Sequence, residues 1–151
     1  MNQFFPEKKR VNKAWGFEVH YFNDKFCAKL LVVEQGARCS IHFHKEKEEM
    51  FLAHAGKVLV ELWDQLPENY TEEDLHNVLK QQPKLFVLEP YNELNIKNRD
   101  YARIFVPVRT PHRFTGLESY NAFFEASTYD KPEDSIRIIS SQAPEKWTSV
   151  G

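Results

Sequence analysis

Residues 36–56 read GARCSIHFHKEKEEMFLAHAG. His42 and His44 are separated by one residue, and alternate residues of a β-strand lie on the same face of the sheet. Their Cα atoms would be roughly 7 Å apart, so both imidazoles can reach one ion at about 2.1 Å. Glu49 offers a hard oxygen ligand from the next predicted strand, and His112 can complete the set when the chain folds back on itself. Three nitrogen ligands and one oxygen ligand predict a divalent transition metal that keeps open coordination positions.

The rest of the chain predicts an all-β protein. The predicted strands are rich in β-branched and aromatic residues, and turn signals separate them. They cover residues 26–33, 38–44, 49–55, 57–63, 84–89, 93–97, 101–108, 112–117 and 121–128. Because these strands do not alternate with helices, the pattern excludes a parallel βαβ sheet and predicts a barrel or a sandwich.

Two segments depart from the strand pattern. In residues 64–83, Thr71 and Asp74 have the spacing of a capping box, and Leu75, Val78 and Leu79 give an apolar stripe at helical spacing. We therefore predict one short inserted helix, which we expect to cover an open end of the barrel. Residues 1–14 are predicted to be an N-terminal arm, and residues 1–151 to be a single domain.

The metal-ligand pattern also carries a family resemblance. The spacing G-x5-H-x-H-x4-E-x6-G resembles the first sequence motif of the cupins, and the matching residues are Gly36, His42, His44, Glu49 and Gly56. Glu48 is a possible ligand at a shorter gap, but only Glu49 keeps six residues before the last glycine. The resemblance covers residues 15–140 and implies a cupin jelly roll, which is a double-stranded β-helix barrel.

The second cupin motif, G-x5-P-x-G-x2-H-x3-N, is matched in part. Pro107 and His112 agree with it. Arg109 stands at its inner glycine, Gly116 at its asparagine and Tyr101 at its leading glycine. The first motif is therefore the more specific of the two.

Further segments resemble a smaller group within the cupins. Residues 15–18, 27–36, 40–44, 124–128 and 133–137 resemble small sugar-processing cupins, such as the cupin domain of type II mannose-6-phosphate isomerases. This resemblance implies isomerase or epimerase chemistry on a carbohydrate, with one divalent ion (Zn, Mn, Fe or Ni). Glu125 and Lys29 are the catalytic candidates, Glu125 as the base that moves a proton. Arg103 and Tyr101 are the candidates for binding the sugar or its phosphate.

Two other functions use the same ligands. An iron-dependent dioxygenase would leave coordination positions for oxygen and for an organic substrate, and its pocket should be more apolar. A non-catalytic cupin would bind a sugar or a small acid, and this reading is favoured if no base lies near the ligand. The fold by itself does not choose between these functions.

Composition excludes several partner classes. Twenty basic and twenty-two acidic residues give a net charge of −2 without a segregated block, so nucleic acid is not the expected partner. No apolar run approaches the roughly 20 residues of a membrane span, and the first residues lack a signal-peptide core. Two cysteines suggest reduced thiols in a cytoplasmic protein. His20 and His54 are expected to be structural or surface residues.

We also expect a homodimer. Small barrels protect sheet edges and apolar strand faces against a second copy, and two-fold assemblies are the commonest oligomers. Four N-terminal aromatic residues are suited to crossing onto a partner or to capping the chain's own barrel, namely Phe4, Phe5, Trp15 and Phe17.

Overall fold

The computed structural model describes residues 3–92 and 102–143. In these ranges the chain forms eleven strands, one α-helix and one 3₁₀ turn over Pro132–Asp134. The strands are β1 Lys9–Lys13, β2 Gly16–Asn23, β3 Cys27–Val33, β4 Ile41–His44, β5 Glu49–Ala55, β6 Val58–Leu62, β7 Lys84–Leu88, β8 Arg103–Val106, β9 His112–Gly116, β10 Asn121–Ser127 and β11 Ser135–Ile139. The helix, α1, is Glu72–Val78.

The strands form two antiparallel sheets. The six-stranded sheet has the order β1-β2-β3-β10-β5-β8, and the five-stranded sheet has the order β11-β4-β9-β6-β7. Neighbouring strands are often distant in sequence, as in a jelly roll, because the chain crosses repeatedly between the two sheets. The predicted all-β jelly roll is confirmed.

Alternating side chains of both sheets meet in one apolar core. Phe51 and Phe123 of the six-stranded sheet pack against Phe114 of the other, with ring centroids 6.4 and 5.1 Å from that of Phe114. Trp15 is buried against Phe114 at 4.9 Å, edge to face. Each large apolar side chain buried in this way contributes about 1.5–3 kcal/mol. Trp15 therefore caps this chain's own barrel, which was the alternative to its crossing onto a partner.

The inserted helix begins at the predicted capping box. The Thr71 amide donates to Asp74 Oδ2 at 2.8 Å, and the Asp74 amide donates to Thr71 Oγ1 at 3.3 Å. Val78 is buried in a second apolar cluster with Ile41 and Phe43. The side chains of these two β4 residues leave the sheet on the face opposite His42 and His44. The insertion therefore covers the outer face of the five-stranded sheet, so the expected cover over a barrel end was wrong.

Three strands were not predicted, namely β1, β2 and β11. β1 lies inside the segment predicted as an arm, where it pairs with β2 from Lys9↔His20 to Lys13↔Gly16. β11 lies in the tail and pairs with β4. β1 and β11 are edge strands with exposed polar residues. β1 contains one apolar residue, Val11, and therefore lacks the apolar alternation that identifies a strand from sequence. Residues 135–138 of β11 do alternate polar and apolar side chains. The predicted strand at 93–97 lies outside the described residues.

Backbone conformation explains the motif glycines and one departure from them. Gly36 and Gly56 have φ angles of 77° and 68°, in the left-handed region that favours glycine. Arg109 stands where the second motif has glycine, and it also has a positive φ, 55°. Its amide donates to the His44 carbonyl at 2.7 Å, and its carbonyl accepts from the Leu66 amide at 2.8 Å. These bonds hold a conformation that costs a non-glycine residue about 1–2 kcal/mol.

Both cysteines are free and buried. Burial raises the pKa of the Cys27 thiol to about 11 and that of Cys39 further still, so both stay protonated at neutral pH. None of the helices among the described residues has the length and apolar character needed to cross a bilayer.

Candidate metal centre

Three histidines from two neighbouring strands come together on the inner face of the five-stranded sheet. His42 and His44 belong to β4, and His112 of β9 pairs directly opposite His42. One ring nitrogen from each histidine lies within 4.8 Å of the others. His42 and His44 lie on the same face because they are two residues apart in β4. The pairing of β4 with β9 brings His112 next to them.

Hydrogen bonds select the nitrogen that two of the three rings, His42 and His112, present to a metal. Nδ1 of His112 donates to the Thr110 carbonyl oxygen at 2.8 Å, and Nδ1 of His42 donates to the Ser40 carbonyl oxygen at 3.0 Å. With the proton on Nδ1, the Nε2 lone pair is free for a metal, as in most histidine sites. Burial, followed by the neighbouring histidines, lowers the pKa of His42 well below its usual range. Burial lowers the pKa of His44 to about 4, so both rings are neutral, as metal ligands must be.

Glu49 completes the donor set from β5. Its side chain is 2% exposed, and Oε1 lies 2.9 Å from His112 Nε2 and 3.6 Å from His44 Nε2. Oε1 nevertheless has no hydrogen bond of good geometry among the described residues. A buried carboxylate oxygen facing two imidazole nitrogens requires a positive partner, since leaving it unpaired is unfavourable. Three nitrogens and one oxygen fit a divalent transition metal. Glu48, the alternative in the sequence, is exposed.

A cavity of about 410 Å³, lined by charged as well as apolar side chains, lies beside the three histidines. Both catalytic candidates from the sequence line it, and both are almost fully buried: Lys29 is 5% exposed and Glu125 is 6% exposed. They stand opposite each other on β3 and β10, so their side chains share the inner face of the six-stranded sheet.

Lys47, a residue that the sequence did not single out, connects these groups. Its Nζ lies 3.3 Å from Glu49 Oε2, 3.2 Å from Glu125 Oε2 and 2.9 Å from Asp130 Oδ1. The other Asp130 oxygen lies 2.6 Å from Lys29 Nζ. The two lysines and three carboxylates therefore form one buried network that joins the metal ligand Glu49 to Glu125.

The network sets the protonation of its members. Burial alone would raise the pKa of Glu49, but Lys47, His112 and His44 outweigh it and hold that pKa well below the usual range. Burial, together with the Glu49 charge, raises the pKa of Glu125 to about 7, although Lys47 and Lys29 oppose the rise. A carboxyl group with a pKa near neutrality can accept and return a proton at physiological pH.

Asp134 explains why Lys47 points inward. Its buried carboxylate accepts hydrogen bonds from the amides of Glu46 and Lys47, at 2.8 and 2.9 Å. These bonds fix the turn between β4 and β5. In the sequence, Lys47 belongs to the charged run KEKEE, which is typical of a solvent-exposed turn.

The structure corrects the expectation for Arg103 and adds an observation on His20. Arg103 is exposed on β8, where Ile104 and Val106 point into the core and Arg103 points outward, so it does not line the cavity. Its predicted role in binding the substrate is therefore wrong. His20, expected to be structural or on the surface, lines the cavity with its Nε2 at 2.6 Å from Glu18 Oε2. Tyr101 lies outside the described residues.

Solved structures resemble this fold at low sequence identity. The capsular polysaccharide assembling protein CapF from Staphylococcus aureus superposes with a TM-score of 0.65 at 13% identity, over 91% of this chain and 33% of CapF. Oxalate decarboxylase from Bacillus subtilis superposes with a TM-score of 0.63 at 13% identity, over 88% of this chain and 30% of that chain. Both are cupins. This chain spans about a third of either protein, and at such identity the likeness establishes the fold alone.

Sequence comparison identifies the family. A search of curated protein sequences finds no match to this chain. A family model described as D-lyxose isomerase matches residues 15–141, which include the three histidines, Glu49 and both catalytic candidates. The chain is therefore a cupin that belongs to the D-lyxose isomerase family.

Proposed function

We propose that this protein is a metal-dependent sugar isomerase that interconverts an aldose and the corresponding ketose, with D-lyxose as the first candidate substrate. The family supports this chemistry. The observation that carries the proposal is Glu125, a buried carboxyl group in the same cavity as the histidine cluster, with a pKa raised to about 7.

Isomerisation needs two proton movements, one between carbons and one between oxygens. When bound by the three histidines and Glu49, a divalent ion supplies Lewis-acid polarisation of the carbonyl group and the adjacent hydroxyl. We assign the carbon proton to Glu125, which takes it from C2 and returns it to C1. Lys47 is the candidate for the oxygen proton: its ammonium group would donate a proton to O1, and the resulting amine would take the proton from O2. Its Nζ lies close to both Glu125 and Glu49. Lys29 and Asp130 hold this arrangement in place through the 2.6 Å ion pair.

Hydrogen exchange with the solvent tests this function directly. Metal-loaded protein incubated with D-lyxose in deuterium oxide should give the ketopentose with deuterium at C1, and recovered D-lyxose with deuterium at C2. Protein treated with a chelator is the control and should give neither. If no member of a panel of aldopentoses, aldohexoses and their phosphorylated or carboxylated derivatives exchanges, the proposed function is wrong.

The other two functions fit the cavity less well. A dioxygenase should have a more apolar pocket, whereas four carboxylates and two buried lysines line this one. A binding protein without catalysis needs no base beside the ligand, whereas Glu125 stands in the cavity. Oxygen consumption by the iron(II)-loaded protein would support the dioxygenase instead.

We also propose a homodimer. Leu52 of β5 and Phe105 of β8 are exposed on the outer face of the six-stranded sheet, and Phe4 and Phe5 are exposed as well. Burial of these side chains against a second copy would remove apolar surface from water. Light scattering at micromolar concentration should give twice the chain mass of 17.9 kDa. A monomeric mass would rule out the dimer.

A further inference from the structure

The opening of the cavity is built from the edge strands of the two sheets. β1 ends the six-stranded sheet and β11 ends the five-stranded sheet. Lys9 and Lys13 of β1 and Arg137 of β11 line the cavity, and all three are exposed. A residue that lines a cavity and also meets solvent lies at its mouth. We call these three residues the cationic rim.

Strand pairing relates the rim to the proposed reaction site. In the six-stranded sheet, Lys9 stands opposite His20, His20 opposite Lys29, and Lys29 opposite Glu125. Lys9 is therefore three strands from Glu125, roughly 14 Å across the sheet at about 4.8 Å for each strand. In the five-stranded sheet, Arg137 stands directly opposite His42. On the five-stranded sheet, Arg137 therefore lies next to the proposed metal site. On the six-stranded sheet, Lys9 lies well away from the proposed base, Glu125.

The charges inside the cavity are compensated among themselves. Lys29 and Lys47 are held by carboxylates at 2.6 to 3.3 Å. Four carboxyl groups lie on the inner wall with these two lysines, namely Glu18, Glu49, Glu125 and Asp130.

The rim charges are not compensated in this way. Lys131, which also lines the cavity, is paired with Glu46 at 2.6 Å. Lys9, Lys13 and Arg137 form no ion pair within residues 3–92 and 102–143. Three positive charges around one opening produce a potential that draws in and holds an anion, and a guanidinium group binds phosphate or carboxylate with two parallel hydrogen bonds.

We propose that the cationic rim binds an anionic group, a phosphate or a carboxylate, that the sugar carries at the end remote from its carbonyl group. This inference rests on the proposed function, because it names the class of sugar that the isomerase uses. A neutral sugar has no charged group for the three cations at the mouth to bind. The rim would attract an anionic sugar, hold its charged end at the mouth and so direct its carbonyl group toward the histidines.

Steady-state kinetics test the specificity. The substrates are D-lyxose, the same pentose phosphorylated at C5 and an aldose with a terminal carboxylate. At low salt, KM for an anionic sugar should be at least about tenfold below KM for D-lyxose, and the difference should shrink as salt screens the rim. The anion with the lower KM identifies whether the group is phosphate or carboxylate. Lys9→Gln with Lys13→Gln, or Arg137→Gln alone, should remove most of the advantage. Either variant should change kcat and KM for D-lyxose less than about twofold, because a neutral sugar carries no charge for the rim to attract.

A matched control separates the rim from the overall charge. Lys8→Gln with Arg10→Gln removes the same charge from the same part of the chain, but neither residue lines the cavity, and Arg10 lies over the ring of Phe17. This control should keep the anionic preference. Because the two rim variants lie on different sheets, a folding defect in one, detected by thermal melting, leaves the other as the test.

A binding measurement tests the cationic rim independently of the proposed isomerase function. Inorganic phosphate is titrated into metal-free protein by calorimetry, so that ligation to a metal does not contribute. Saturable binding that disappears in the rim variants and persists in the control supports the rim, even if no sugar is isomerised and the proposed function fails. If D-lyxose is isomerised but anionic sugars show no advantage and phosphate does not bind, the inference is wrong and the isomerase stands.

Discussion

Replacing His44 with alanine should reduce the metal content from about one ion per chain to less than about a tenth, since loss of a nitrogen ligand leaves an incomplete site. The remaining donors are His42, His112 and Glu49, one nitrogen ligand fewer than in the proposed set. Elemental analysis of protein purified without chelator measures the change. Added metal should also raise the melting temperature of the unmodified protein and leave that of the variant unchanged, because a ligand that binds only the folded state stabilises it.

The control for this substitution is His54→Ala. His54 lies on β5, as Glu49 does, but packs against the ring of Phe124 at 5.1 Å and does not line the cavity. Its replacement should leave the metal content at about one ion per chain, since none of the four proposed ligands changes. Stoichiometric metal in the His44 variant would show that the proposed ligand set is wrong.

Replacing Glu125 with glutamine should slow solvent exchange at C2 of the sugar by about 10²–10⁴-fold while the metal remains bound. Glutamine keeps the size of the side chain and can still accept the Ser127 hydroxyl bond, which is 2.9 Å long in the structure. It lacks the basic oxygen that takes the proton. Exchange measured by mass spectrometry, alongside elemental analysis, separates loss of the base from loss of the ion.

Glu118→Gln serves as the matched control for the base. Glu118 is a half-exposed carboxylate that faces Lys57 at 3.8 Å, away from the cavity. Its replacement should leave the exchange rate within about twofold, because surface ion pairs contribute little. An exchange rate for Glu125→Gln equal to that of this control would remove Glu125 from the mechanism.

Local patterns in the sequence predicted the parts of this protein that depend on neighbouring residues. The spacing of two between His42 and His44 requires only that β4 be a strand. The capping box at Thr71 and Asp74 requires only contacts three residues apart, and both parts of it formed. β5 has the bounds that its apolar pattern predicted. In each case the interaction that decides the structure lies within a few residues.

The face of the sheet on which a charged strand residue lies could not be predicted in the same way. Lys29, Arg103 and Glu125 all lie on strands, yet the first and last face the cavity and Arg103 faces outward. A shift of one residue in register exchanges the two faces of a strand, and register depends on pairing with distant strands. The expectation for Arg103 failed for this reason.

The sequence by itself determined the all-β class, the histidine pair and the inserted helix, because periodicity and capping act over short distances. The choice of a jelly-roll barrel came from the resemblance of the first motif to the cupins. Only the tertiary structure decided which charges share the cavity. Lys47 turns inward because its amide is held by Asp134, 87 residues away. Arg137 reaches the metal side of the mouth because β11 pairs with β4. Such contacts form only when the chain closes on itself, and no local pattern of residue types records them.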